Sequence, residues 1–168
     1  SVLAQYATNG DYGVAVTALS GNGSQANVQA LEDGDADLAF CQSDVLAYAY
    51  DGTNLFDGAA YKDFSVVANL YQEQVQIVTC NPNIKTVADL KGKTVSVGAA
   101  GSGVYFNAID VLTAYDLTLN DIEPVYQSFG DSADSLKDDK IDAAFIVAGA
   151  PTTAITDLST TKKAYLVS

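Results

Sequence analysis

The chain repeats itself, and that constrains its fold more than any other feature. The stretch Leu31-Glu-Asp-Gly-Asp-Ala-Asp-Leu-Ala-Phe40 is echoed by Leu136-Lys-Asp-Asp-Lys-Ile-Asp-Ala-Ala-Phe145. Leu31/Leu136, Asp33/Asp138, Asp37/Asp142, Ala39/Ala144 and Phe40/Phe145 are identical at a constant offset of 105. In both copies a helix end is followed by an acidic turn and an apolar run, the signature of a helix-to-strand connection. Further upstream, residues 1–21 lie on residues 110–130 at an offset of 109, matching Val2/Val111, Leu3/Leu112, Tyr6/Tyr115, Val16/Val125 and Gly21/Gly130. A helix one turn shorter in the second copy is expected to absorb the change of offset.

Each copy therefore reads β-α-β-α-β. In the second, Thr94–Gly98 is a strand, Val104–Tyr115 a helix, Pro124–Gln127 a strand, Asp131–Lys137 a short helix and Ile141–Val147 a strand. Such alternation implies a parallel sheet with helices on its faces. In the first copy the expected strands are Val14–Leu19 and Leu38–Cys41. Ser1–Tyr6 reads as the middle of a helix, so the opening strand is expected upstream of Ser1. Residues 64–79 contain no Gly or Pro, and Gln74 and Gln76 alternate with Val75 and Ile77, which suits a strand crossing from one lobe to the other. The expected division is residues 1–79 as a first lobe, incomplete and including the crossing strand, and residues 80–168 as a second. Thr86 is expected to cap a short helix with Asp89 in its first turn, and Pro151 to open a helix at its first position.

Composition excludes several function classes. All eight basic residues are Lys, and the chain has no His, so the commonest general base and metal ligand is missing. Without Arg there is no bidentate clamp for a carboxylate or phosphate. A formal net charge of −13 disfavours nucleic acid and anionic lipid as partners. No apolar run is long enough to span a bilayer. Cys41 and Cys80 have neither metal nor redox spacing; they read as two independent buried thiols, with one disulfide in an oxidising compartment as the alternative.

Ligands of open parallel α/β sheets bind beyond the carboxyl ends of the strands, at helix N-termini. Four loops are expected there: Ser20–Gln25, Gln42–Asp44, Gly98–Gly103 and Ala148–Thr152. All are small, polar or Gly-rich. A helix N-terminus carries about half a positive charge and unpaired donors, so it can hold a carboxylate without Arg. Gly101-Ser-Gly103 is the leading candidate and the Ser24 loop the second. Gln42 and Tyr71 are each open between a ligand contact and a buried structural residue. Asp33, Asp37, Asp138 and Asp142 fall in turns at the amino ends of strands, the wrong end for a ligand. Asp44 is the one titratable group in the four loops and reads as a helix cap, so no catalytic residues are assigned.

The segments Ala36–Asp44, Ile84–Gly98, Gly101–Gly103 and Ile141–Pro151 resemble the TAXI group of TRAP-transporter solute receptors. The likeness runs through nearly the whole chain. It departs at Ala100 and Gln72, where Pro is frequent in the group. The resemblance implies a two-lobed type II periplasmic-binding-protein fold with three-layer α/β/α lobes, here truncated at both ends. It also implies an extracytoplasmic receptor that hands a small carboxylate or amino acid, such as glutamate or glutamine, to the membrane permease subunits of a TRAP transporter. No cofactor and no metal are expected. By the same resemblance the cleft holds Ser24, Gln42, Tyr71, Ser102, Gly103 and Gly149. A regulatory effector-binding domain of the same fold is the alternative.

Overall fold

The computed structural model describes residues 2–168. Its elements, in chain order, are α1 (Val2–Asn9), α2 (Ser24–Glu32), α3 (Ser43–Asp51), β1 (Gln74–Thr79), β2 (Thr94–Ser96), α4 (Gly103–Ala114), β3 (Glu123–Val125), α5 (Phe129–Lys137), β4 (Ala143–Ala148), α6 (Thr153–Thr161) and β5 (Tyr165–Leu166), with 3-10 turns at Asn54–Phe56, Val87–Leu90 and Leu119–Asp121. The strands form one five-stranded sheet in the order β3-β2-β4-β1-β5. β2 runs parallel to both β3 and β4. β1 is antiparallel to β4, Gln74 facing Ala148 and Thr79 facing Ala143, and antiparallel to β5.

Strand β4 sets the layering. Its apolar run has no polar face because both sides are covered, as a central strand requires. Ala143, Phe145 and Val147 pack with Ile77, Val95, Val97, Ala108 and Leu112 on the α4 side. Ala144 and Ile146 pack with Val78, Ala133, Leu136 and Leu158 on the α5–α6 side. The period-two alternation of one strand thus divides the core into two clusters and makes the second half of the chain a helix–sheet–helix sandwich. Polar groups brace its amino edge. Asp142 accepts from Thr94 N at 2.9 Å through Oδ2, while its carbonyl accepts from Thr79 Oγ1 at 2.6 Å. The structural reading of Asp142 holds. The turn at Thr86 also forms as expected: the Asp89 carboxylate accepts from the backbone N–H groups of Lys85 and Thr86 and from Thr86 Oγ1.

The first half differs from expectation. Helices α2 and α5 are both nine residues long and sit 105 positions apart, so the duplication is real at the level of helices. Their ends also match: Asp33 and Asp138 are the C-caps, and the next residues, Gly34 and Asp139, both adopt positive φ, 75° and 56°. The helices being equal, the change of offset cannot lie in them. It lies in the loop before them, which runs over 17–23 in the first copy and over 126–128 in the second. Gly21/Gly130 is therefore not a structural match, because Gly130 lies inside α5 and Gly21 in the longer loop.

The strands expected at Val14–Leu19 and Leu38–Cys41 form no ladder among the described residues, and of the crossing segment 64–79 only Gln74–Thr79 pairs. A parallel strand is held by its neighbours' backbone groups, and none of the described strands lies beside these segments. Val16 N is instead bound by Thr8 Oγ1 at 2.8 Å, and Phe40 O by Asn27 Nδ2 at 2.8 Å. The apolar side chains of Val14, Leu19, Leu38, Phe40, Val66, Val67 and Leu70 are exposed as a result. Pro151 does not open α6, whose cap is Thr152; the Ala150–Pro151 bond is cis.

Candidate functional site

Three helix N-termini meet where the two halves touch. The amides of Gln25 and Ala26, in the first turn of α2, donate to the carbonyl of Gly101 at 3.1 and 3.2 Å. Gly23, just before α2, has φ 117°, and a Cβ there would lie 2.5 Å from Ser102 Cα. Only a glycine permits both that dihedral and that approach. Ser24 Oγ accepts from the backbone N–H of Gln42, the N-cap residue of α3, at 3.0 Å. Gly103 begins α4 with Ser102 as its N-cap residue, and a Cβ on Gly103 would fall 1.3 Å from Gln42 Oε1 and 3.2 Å from Ser24 Oγ. The Gln42 side-chain carbonyl thus points end-on at the first residue of α4.

Ser24, Gln42, Ser102 and Gly103 are therefore brought together, as the sequence led us to expect. Ser24 and Ser102 are 7% and 8% exposed, and Ser102 Oγ is buried without a hydrogen-bond partner. A buried hydroxyl that bonds nothing in the protein retains both its donor and its acceptor capacity. Tyr71 and Gly149 stand differently. Tyr71 is exposed and hydrogen-bonds Glu73, and a Cβ on Gly149 would meet open space.

Sequence reading missed the residues that extend this cluster along α4. Gln42 Nε2 donates to Asn107 Oδ1 at 2.9 Å, and Asn107 Nδ2 donates to Asp44 Oδ2 at 2.7 Å. One turn further on, Tyr48 OH donates to Asp110 Oδ2 at 2.8 Å. Asp44 does not cap α3, whose cap residue is Gln42. Asp44 lies in the first turn, where its Oδ1 takes the N–H of Val45 and its Oδ2 reaches across to α4. Gly103, Asn107 and Asp110 share a helical face at i, i+4 and i+7, which was the available signal. An aromatic stack closes the seam: Phe106 on α4 stacks on Tyr48 and on Phe56, with ring centroids 5.5 and 6.2 Å apart.

The electrostatics of the seam follow from these contacts. The hydrogen bond to Asp110, with burial and the nearby Asp110 and Asp44 charges, pushes the Tyr48 phenol up to about 12. Burial, opposed by Tyr71 and aided by the Asp44 charge, raises Glu73. Burial alone pushes the Cys41 thiol up to about 11; it points at the carbonyl of Ser24 and, like Cys80, is unpaired. Among the described residues no group of three His, Cys, Asp or Glu side chains is placed to hold a metal ion, and no helix is long and apolar enough to cross a membrane.

The model of the NMT1-like family matches residues 1–168, and the chain belongs to that family. The alkanesulfonate-binding protein SsuA from Xanthomonas axonopodis pv. citri, bound to MOPS, aligns over 92% of this chain and 50% of its own, at a TM-score of 0.60 and 23% identity. The periplasmic aliphatic sulphonate binding protein SsuA from Escherichia coli aligns over 57% of this chain and 31% of its own, at a TM-score of 0.47 and 27% identity. An ancestral arginine-binding protein bound to arginine aligns over 58% of this chain and 41% of its own, at a TM-score of 0.44 and 23% identity. The Xanthomonas protein shares the α/β fold described above. This chain spans half or less of the length of these solved proteins.

Proposed function

We propose that this chain is part of an extracytoplasmic solute receptor whose ligand is held where α2, α3 and α4 begin. The observation that carries the reading is the convergence of three helix N-termini on Ser24, Gln42, Ser102 and Gly103, with a buried hydroxyl left unbonded. Helix N-termini suit an anionic head group, because their amides are donors and their dipoles favour negative charge, although at α2 the Gln25 and Ala26 amides already bond the Gly101 carbonyl. A carboxylate or a sulfonate fits that chemistry, and the fold shared with an alkanesulfonate-binding protein supports the same class. Tyr71 and Gly149 are included in the proposed cleft as outer walls on the strength of the TAXI-like segments alone. Ligand would act by favouring the state in which the two halves touch, through better contacts there.

Delivery to a membrane permease is part of the proposal. The TAXI-like segments favour a permease of the TRAP type and a ligand such as glutamate or glutamine. The test is a thermal-shift screen of the full-length protein against amino acids, sulfonates, dicarboxylates and sugars. A rise in Tm that grows with ligand concentration, as mass action requires, supports the reading. No rise with any of these solutes refutes it and favours a regulatory or protein-binding role.

A further inference from the structure

Asparagine is labile where the backbone nitrogen of the next residue can attack its side-chain carbonyl, and glycine, having no Cβ, obstructs that attack least. Glycine follows asparagine or aspartate at Asn9-Gly10, Asn22-Gly23, Asp33-Gly34, Asp51-Gly52 and Asp57-Gly58. In all but one of these pairs the glycine N–H is engaged. Gly10 donates to Tyr6 O at 2.9 Å, Gly34 to Leu31 O at 3.2 Å, Gly52 to Ala49 O at 3.4 Å and Gly58 to Gly52 O at 3.3 Å. Gly23 is the exception: among the described residues nothing accepts from its N–H. It is the N-cap residue of α2, and a capping box would bind that N–H through a Glu or Gln three positions on, where Ala26 stands instead. Asn22 itself is exposed, and among the described residues its side chain has no hydrogen-bond partner.

We propose that Asn22-Gly23 is a self-modification site, where loss of ammonia and uptake of water turn Asn22 into isoaspartate and release α2 from the start of α4. The Gly23 nitrogen gives its proton to solvent base and attacks Asn22 Cγ. The N–Cγ bond forms, the Cγ–Nδ2 bond breaks, and the amide nitrogen leaves as ammonia, closing a cyclic imide. Water then opens the ring. Cleavage at the main-chain carbonyl of Asn22 gives isoaspartate, and cleavage at Cγ gives aspartate; nothing is oxidised or reduced. Isoaspartate lengthens the main chain by one C–C bond, about 1.5 Å. The added length enters where there is least room for it: even a Cβ on Gly23 would lie 2.5 Å from Ser102 Cα and 3.2 Å from Gly101 O. The next residues hold the seam, since Ser24 Oγ takes the Gln42 N–H and the Gln25 and Ala26 amides bond Gly101 O. A shifted Gly23 carries those donors and that acceptor out of register. The modification is independent of any bound solute and of the receptor reading.

The experiment ages the full-length protein in mildly alkaline buffer beside its Asn22→Gln and Asn22→Asp variants. Chymotryptic peptides are followed by mass spectrometry, with enzymatic methylation of isoaspartyl groups as a second readout. Conversion at Asn22 should be faster than at Asn9 by about tenfold or more, the rate equivalent of first breaking the Gly10 hydrogen bond. The wild type should lose Tm in step with isoaspartate. Aged Asn22→Gln should keep its starting Tm, because the longer side chain closes the ring more slowly. Asn22→Asp carries the new charge on an ordinary backbone, beside a helix N-terminus that favours it, and should match or exceed the unaged wild type. No conversion at Asn22, or equal rates at Asn22 and Asn9, overturns the site. A Tm unmoved by isoaspartate, an equal loss in aged Asn22→Gln, or an equal loss in unaged Asn22→Asp overturns the release of α2.

Discussion

Asn107 should be a costly polar side chain to remove, although the sequence gives it no distinction. Its amide spans the seam, taking one hydrogen bond from Gln42 Nε2 at 2.9 Å and giving one to Asp44 Oδ2 at 2.7 Å. Asn107→Ala deletes both. The bond to the Asp44 carboxylate is worth about 1.5–3 kcal/mol and the one from Gln42 about 1 kcal/mol. Against that, alanine in the middle of α4 recovers roughly 0.5 kcal/mol of helix propensity. The net loss is about 2–3 kcal/mol, read from the urea midpoint of the full-length protein at constant m. A double-mutant cycle with Asp44→Asn isolates the charged bond and should return a coupling of about 1 kcal/mol or more, since the two residues are in contact. Asn83→Ala, on an exposed turn, serves as the control and should move the midpoint by less than about 0.5 kcal/mol. If Asn107→Ala behaves like Asn83→Ala, the bonds across the seam contribute nothing and the contact between the halves is not what orders this site.

Three further outcomes follow from the same structure. Leu136, 1% exposed within the α5–α6 cluster, should cost about 2–5 kcal/mol on truncation to alanine, whereas its repeat mate Leu31, half-buried on α2, should cost clearly less in the same denaturation assay. Gly98 has φ 87°, and a Cβ there would lie 2.5 Å from Val104 Cβ and 2.8 Å from Ser102 Oγ, so Gly98→Ala should lower stability by about 2 kcal/mol or more by thermal unfolding. Asp89 and Asp121 are held below their ordinary value of 3.8, first by backbone hydrogen bonds from Lys85 and Thr118 respectively. Because the folded state depresses these groups, their stabilisation is present above the unfolded pKa and is lost as pH falls through and below it; the double variant Asp89→Asn, Asp121→Asn should flatten the acid limb of a Tm-versus-pH curve.

The second half of the chain was legible because its signals are local. The β4 run, the Gly98–Gly103 turn and the cap at Thr86 all depend on residues within a few positions of one another. The repeat placed α2 and α5 correctly and put their caps in register. It misled at the loop before them, because matching glycines at 21 and 130 were read as structure when one is a loop residue and the other helical. Of the site, Ser24, Gln42, Ser102 and Gly103 were legible because strand-to-helix loops of this fold class are where ligands gather. Asn107, Asp110 and Tyr48 were not. Their partners lie more than sixty positions away, and no spacing rule reports a contact of that kind.

The first half exposes what local pattern cannot supply. Val14–Leu19 and Leu38–Cys41 carry the apolar character of buried strands, and the repeat aligns Val16 with the end of β3 and Leu38–Cys41 with β4. In the second half those two elements are joined through β2, which pairs with both of them. Among the described residues no strand pairs with these two segments, and their backbone is bonded instead by the side chains of Thr8 and Asn27. The helices of the first half nonetheless hold their positions, because α2 and α3 are fixed by the seam rather than by a sheet beneath them. Gly101 holds α2 by its first-turn amides, Ser24 holds the start of α3, and Asn107 and Asp110 hold the face of α3 against α4. The contacts proposed to bind ligand and the contacts that order the first half are therefore the same set. A ligand that occupies Ser102 and Gly103 must displace or recruit the Gln42 amide lying over them, so binding and the docking of the two halves are coupled through that one side chain.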